Sequence, residues 1–144
     1  MNRNRTILLV EDNPDDVELT KRALARSNVP SDLVVARDGA EALDYLFSAG
    51  GDDHQLPQLV LLDLKLPKVD GLEVLQRVRE DKRTKLLRII VLTSSNEDED
   101  KLRSYNLGAS SFVRKPLDFG EFVEAARQLG QYWLVLNEPP PSTA

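Results

Sequence analysis

The chain contains no cysteine. Disulfides and thiolate metal sites are therefore excluded, and nothing in the sequence demands an oxidising compartment, so a cytoplasmic protein is the simplest expectation. Long apolar runs are also missing. The stretch Ile7 to Val10, which follows the basic Arg3 and Arg5, is too short for a signal-peptide core or a membrane span. A basic surplus is absent too: the formal charge is -5 and the pI near 4.9. That balance argues against direct nucleic-acid binding, which needs cations to neutralise phosphates. The only histidine, His54, stands beside Asp52, Asp53 and Gln55 in a polar stretch. It reads as solvent-exposed and is assigned no role.

What is present fits one ordinary globular domain: 144 residues, 41% hydrophobic and 30% charged. Apolar runs alternate with helical patterns throughout. Ile7 to Val10 reads as a strand buried on both faces and ending at Glu11. Asn13 and Pro14 supply a capping residue and a first-turn proline for a helix running to about Ser27. Asp32 to Ala36 is strand two. Asp38-Gly39 is a turn, followed by a helix with Ala42, Leu43, Leu46 and Phe47 on one face that Gly50 and Gly51 stop. After a polar loop, Leu59 to Leu62 is strand three and Gly71 to Arg79 the third helix. Ile89 to Leu92 is strand four, and Glu97 to Asp100 place negative charge at the positive end of the next helix. Ser110 to Val113 is strand five. The final helix starts near Asp118 and carries Phe119, Phe122, Val123, Ala126 and Leu129. The expected division is a domain over 1–137 and a flexible, proline-rich tail over 138–144.

Five strands, each followed by a helix, imply right-handed crossovers and a parallel sheet covered on both faces. The expected class is a three-layer, doubly wound (βα)5 flavodoxin-like α/β fold with strand order 2-1-3-4-5. Ligands then bind outside the carboxyl ends of the strands, where the order reverses between strands one and three.

The residues at those ends carry the chemistry. Strand one ends in Glu11-Asp12, strand three in Asp63, strand four in Thr93 and strand five in Lys115-Pro116. Three carboxylates together repel one another unless some are protonated or a cation holds them. A hard divalent ion such as Mg2+ suits oxygen donors, and it can also neutralise a phosphoryl oxygen. A carboxylate can attack phosphorus itself. Asp63, between the other strand ends, is the expected nucleophile, with Lys115 pairing with the phosphoryl group and Thr93 donating a hydroxyl hydrogen bond to it.

These residues, in order and in register, resemble the receiver domain of two-component response regulators over nearly the whole chain. The matching motifs are Ile7-Leu8-Leu9-Val10-Glu11-Asp12, Asp63-Leu64-Lys65-Leu66-Pro67 followed by Asp70-Gly71, Thr93-Ser94, and Lys115-Pro116. The resemblance implies that Glu11, Asp12, Asp63 and the backbone carbonyl of Lys65 bind Mg2+. It further implies that Asp63 accepts a phosphoryl group from a histidine kinase, that Thr93 and Lys115 contact that group, and that the bond before Pro116 is cis. Phe112, three residues before the lysine, would swing inward with Thr93 as a switch, although ordinary core packing is an equally good reading of that residue.

Leu66 replaces the methionine often found there, a neutral apolar exchange. The loop Gly50 to Pro57 is longer than usual. Tyr132, Trp133, Leu134 and Leu136 extend beyond a minimal receiver and form a candidate interface. This end resembles regulators partnered with bacterial phytochrome-type histidine kinases, some of which dimerise through it, and the downstream partner is not legible. The expected activity is catalysis of the protein's own phosphorylation and dephosphorylation only.

An aspartate-nucleophile phosphatase would need a second acid two residues after Asp63, where Lys65 stands. A nucleotide or flavin binder lacks its glycine-rich loop after strand one. A phosphate-independent adaptor of the same fold remains the other alternative, against which the complete acidic set argues.

Overall fold

The structure, a computed structural model, describes residues 6–27, 30–47, 56–95, 97–116 and 118–141. Five parallel strands form one sheet: β1 Thr6–Val10, β2 Asp32–Ala36, β3 Leu59–Leu62, β4 Arg88–Thr93 and β5 Ser111–Arg114. Their spatial order is β2-β1-β3-β4-β5, as the alternating pattern implies. The helices between them are α1 Pro14–Ala25, α2 Gly39–Phe47, α3 Gly71–Glu80, α4 Asp98–Asn106 and α5 Phe119–Gly130.

The continuous apolar strands are explained by two cores, one on each face of the sheet. Ile7, Leu9, Leu59, Leu61, Ile90 and Leu92 point toward α1 and α5, where they meet Val17, Ala23, Leu24, Phe122 and Ala126. Leu8, Val10, Val60, Leu62 and Ile89 point the other way, onto Ala42, Leu43, Leu46, Val74, Leu75 and Val78 of α2 and α3. Successive side chains on a strand face opposite sides, so a strand covered on both must be apolar at every position.

Local signals set the helix starts. The Asn13 side chain accepts the Asp15 N–H at 2.9 Å and the Asp16 N–H at 3.3 Å, with Pro14 at the first helical position. Asp70 accepts from the Glu73 N–H at 3.0 Å, and Asp118 from the Glu121 N–H at 3.0 Å. Asp38 does more than turn the chain. Its side chain accepts the Glu41 N–H at 2.7 Å, which holds its carboxyl below the usual aspartate range.

Two expectations are corrected. The segment after α5, expected as an apolar extension and candidate interface, continues the helix as wider, π-helical turns over Gln131–Leu136. Leu134 on it is 1% exposed, packed into the core shared by α1 and α5. It cannot serve as interface, because an aliphatic side chain that fills the core is held there by the loss of water contact. Trp133 is half-buried against the same core, while Tyr132, Val135 and Leu136 are exposed. The second correction concerns Pro116: no peptide bond among the described residues is cis, the one before Pro116 included. A trans bond already delivers Lys115 to the carboxylates, so the isomer that costs more is not needed there. His54 and most of the loop 50–57 lie outside the described residues, as do residues 142–144 of the tail.

Candidate phosphoryl-transfer site

Backbone ladders carry the site residues just past the strand ends. The Glu11 N–H donates to the Ala36 carbonyl at 2.9 Å, the Asp63 N–H to the Val10 carbonyl at 3.1 Å, and the Lys115 N–H to the Thr93 carbonyl at 2.8 Å. Each bond continues a parallel pairing by one step. The side chains of Glu11, Asp63, Thr93 and Lys115 are thereby fixed on one edge of the sheet, from β1 across to β5.

One carboxylate oxygen each from Glu11, Asp12 and Asp63 lies within 4.8 Å of the others. Glu11 and Asp63 are 3% and 8% exposed, whereas Asp12 is open to solvent. The buried amine of Lys115 donates to Glu11 Oε1 at 2.5 Å, to Asp16 Oδ2 at 2.8 Å and to Asp63 Oδ2 at 3.3 Å. The other Asp63 oxygen accepts the Lys65 N–H at 3.4 Å, so both oxygens of this carboxylate are oriented. Thr93 is fully buried, and its Oγ1 accepts the Ser95 N–H at 3.3 Å. Ser95 Oγ donates in turn to Asp100 on α4 at 2.7 Å.

The electrostatics follow from burial. Desolvation pushes the Glu11 carboxyl up to about 7; the Lys115 hydrogen bond opposes this, and the Asp63 charge reinforces it. Burial alone would lower the Lys115 pKa. Hydrogen bonds from its ammonium to Asp16 and Glu11, with the Asp63 charge, outweigh that and hold it above the usual lysine range. Lys115 is therefore a permanent cation in the site.

The donor set fits a hard divalent ion. Three carboxylates converge within reach of one ion, all donors are oxygen, and the buried Glu11 gains from a positive neighbour. Lys65, two residues after Asp63, is exposed. Phe112 is half-buried on β5, with the Lys101 ammonium of α4 at 6.0 Å from its ring centroid.

Of the sequence-predicted site residues, Glu11, Asp12, Asp63 and Lys115 meet here. The Lys65 backbone N–H reaches Asp63 and Thr93 ends the neighbouring strand, whereas Phe112 lies on β5 beside Lys101 and Pro116 lines the apolar side against Leu24 and Phe122. Sequence reasoning missed Asp16. Helical spacing puts a first-turn residue of α1 close to the end of β1, but it does not say that Lys115 from β5 meets it.

A parallel sheet of this order with an acidic cluster, a threonine and a lysine at its carboxyl edge defines a doubly wound protein with a charged pocket at the switch point of its sheet. The chain belongs to the response regulator receiver domain family, whose model matches residues 7–127. It is similar to the probable methanogenesis regulatory protein FilR2 of Methanothrix harundinacea (strain 6Ac), at 41% identity over 93% of this chain and 86% of that one. Among solved structures it is similar to the phosphorylated cyanobacterial phytochrome response regulator RcpA. That match has a TM-score of 0.89 and 36% identity over 96% of this chain and 100% of the other. The bacteriophytochrome response regulator AtBRR matches at 50% identity and a TM-score of 0.73, over 95% of this chain and 100% of that one. The response regulator Rcp1, at 31% identity and a TM-score of 0.85 over 95% and 99%, is described in a Mn2+-bound form. Among the described residues no helix is long and apolar enough to cross a membrane.

Proposed function

We propose that Asp63 is the phosphoryl acceptor of this receiver domain and that a histidine kinase, of the phytochrome type, is the donor. The observation that carries this reading is the convergence of Asp63 with Glu11, Asp12 and Lys115 on one sheet edge, both Asp63 oxygens being held. An Asp63 oxygen forms a bond to phosphorus while the bond from phosphorus to the donor's imidazole nitrogen breaks, the electron pair leaving with the nitrogen. Glu11, Asp12, Asp63 and the Lys65 carbonyl would hold Mg2+, which when bound neutralises charge on the transferring oxygens. Lys115 supplies a fixed positive charge from the β5 side, and Thr93 a hydroxyl proton from β4. The domain catalyses only its own phosphorylation and hydrolysis.

The readout is a change of surface. The new charge, about two units, recruits Thr93 and draws Phe112 inward, which alters the face formed by α4, β5 and α5. Partner contact or dimerisation then carries the signal in the cytoplasm, without direct contact to nucleic acid. Support for the phytochrome partnership comes from the likeness to RcpA and AtBRR. The test is incubation with acetyl phosphate and Mg2+: a mass increase of one phosphoryl group is expected, lost in Asp63→Ala and with chelator. Steady release of phosphate from diverse esters would instead support a hydrolase.

A further inference from the structure

Lys115 has a partner that the proposed reaction does not use. An ammonium carries three protons, and the three carboxylates that receive them here are Glu11, Asp63 and Asp16. Among the described residues, the group able to share one metal ion is Glu11, Asp12 and Asp63. Asp16 lies outside that group. Two of the three lysine partners are therefore the carboxylates a divalent cation would claim, and the two positive charges would compete for them.

Asp16 comes from α1 rather than from a strand end, and its turn is held in place. Its backbone N–H donates to the Asn13 side chain at 3.3 Å, and its carbonyl accepts from the buried Thr20 hydroxyl at 2.8 Å. The same turn is tied to the metal cluster, since the Asn13 N–H donates to Glu11 Oε2 at 3.2 Å. Asp16 is thus a fixed anchor for the lysine that the cation leaves vacant.

We infer that Asp16 is a positioning residue that retains the Lys115 ammonium on the α1 side of the site, so that lysine and divalent cation occupy it together. Resting on the proposed cation site, this gives Asp16 a defined task. With Asp16 kept as partner, the remaining two ammonium protons are released for phosphoryl oxygens when the cation takes Glu11 and Asp63. Without Asp16 the ammonium falls back on those two acids and opposes cation entry.

The test is a double-mutant cycle read as Mn2+ affinity, from the free-ion electron paramagnetic resonance signal of unphosphorylated protein. In Asp16→Asn the affinity is expected to fall about tenfold, within the range usual for coupled sites. In a Lys115→Ala background the same substitution is expected to change it by less than about twofold, as a screened distant charge would. Lys115→Met retains the aliphatic stem and replaces the alanine variant should that fail to fold. An unchanged affinity in Asp16→Asn overturns the inference. An equal loss with and without Lys115 also overturns it, since Asp16 would then act on the cation directly. Failure of the wild-type protein to bind Mn2+, or full binding by Asp12→Ala, identifies the cation site itself as the error.

Discussion

Glu11 is an acid held where its charge is disfavoured. Burial raises its pKa from 4.5 to about 7, so its neutral form is favoured by folding. The stabilising contribution of such a group is complete below 4.5 and is lost as pH rises through about 7. In chelator, wild-type protein is therefore expected to lose up to about 3 kcal/mol between those limits relative to Glu11→Gln, measured by thermal melts across pH. Mg2+ should restore much of the loss, because it favours the ionised form. A flat difference between the two proteins would refute this account of Glu11. Lys65 is governed by exposure instead. It is exposed two residues after Asp63, a spacing from which a long side chain could cover a phosphoryl group against water. Lys65→Ala is expected to change the lifetime of the phosphorylated form by about twofold or more, the scale of an exposed charge contact. The check is decay followed by mass, and an unchanged rate removes the role. At this scale the acids, Thr93 and Lys115 were legible because each ends an apolar run. Asp16 was not, because it ends no apolar run and sits in the first turn of α1, where an acid reads as a helix-start charge.

The elements join this chemistry to the rest of the fold through two close approaches. A Cβ on Gly71, at the start of α3, would lie 2.3 Å from the Asp63 carbonyl oxygen and 2.6 Å from the Leu64 Cα. Those are backbone atoms just after β3 and cannot yield without moving Asp63. Gly71→Ala is expected to cost about 1–3 kcal/mol and to slow phosphorylation, measured by denaturant melts and by acetyl phosphate labelling. Normal labelling would show that the loop adapts. The second approach is between α4 and β5, where Lys101 sits over the Phe112 ring. The path from the site to α4 runs from Thr93 to Ser95 and on to Asp100, the neighbour of Lys101. With a beryllofluoride mimic of the phosphoryl group, Phe112 is expected to leave Lys101, seen as changed ring chemical shifts and contacts by NMR. An unmoved ring would leave Phe112 as ordinary core. Helix and strand positions were readable from periodicity and caps. Neither approach was, since packing rather than periodicity sets how closely one segment meets the next.

For the whole molecule, the carboxyl-terminal end divides into core and surface. Leu134 is core, so Leu134→Ala is expected to cost about 2–5 kcal/mol in denaturant melts. Tyr132 and Leu136, 50% and 68% exposed, are free of that duty. If this end pairs two copies, Tyr132→Asp with Leu136→Asp yields monomers in sedimentation without loss of melting temperature; a monomeric wild type would end the proposal. The alternation of five strands and helices, the strand order and the acids, threonine and lysine at the strand ends were legible along the chain. Those features follow from local periodicity, capping chemistry and the handedness of crossovers. Packing, by contrast, set which side of the π-helical turn enters the core, that Lys115 reaches its partners without a cis bond, and that Asp16 joins them. The physical reason is that burial and ion pairing depend on which surfaces meet after packing, and no local pattern along the chain encodes a meeting between α1 and the end of β5.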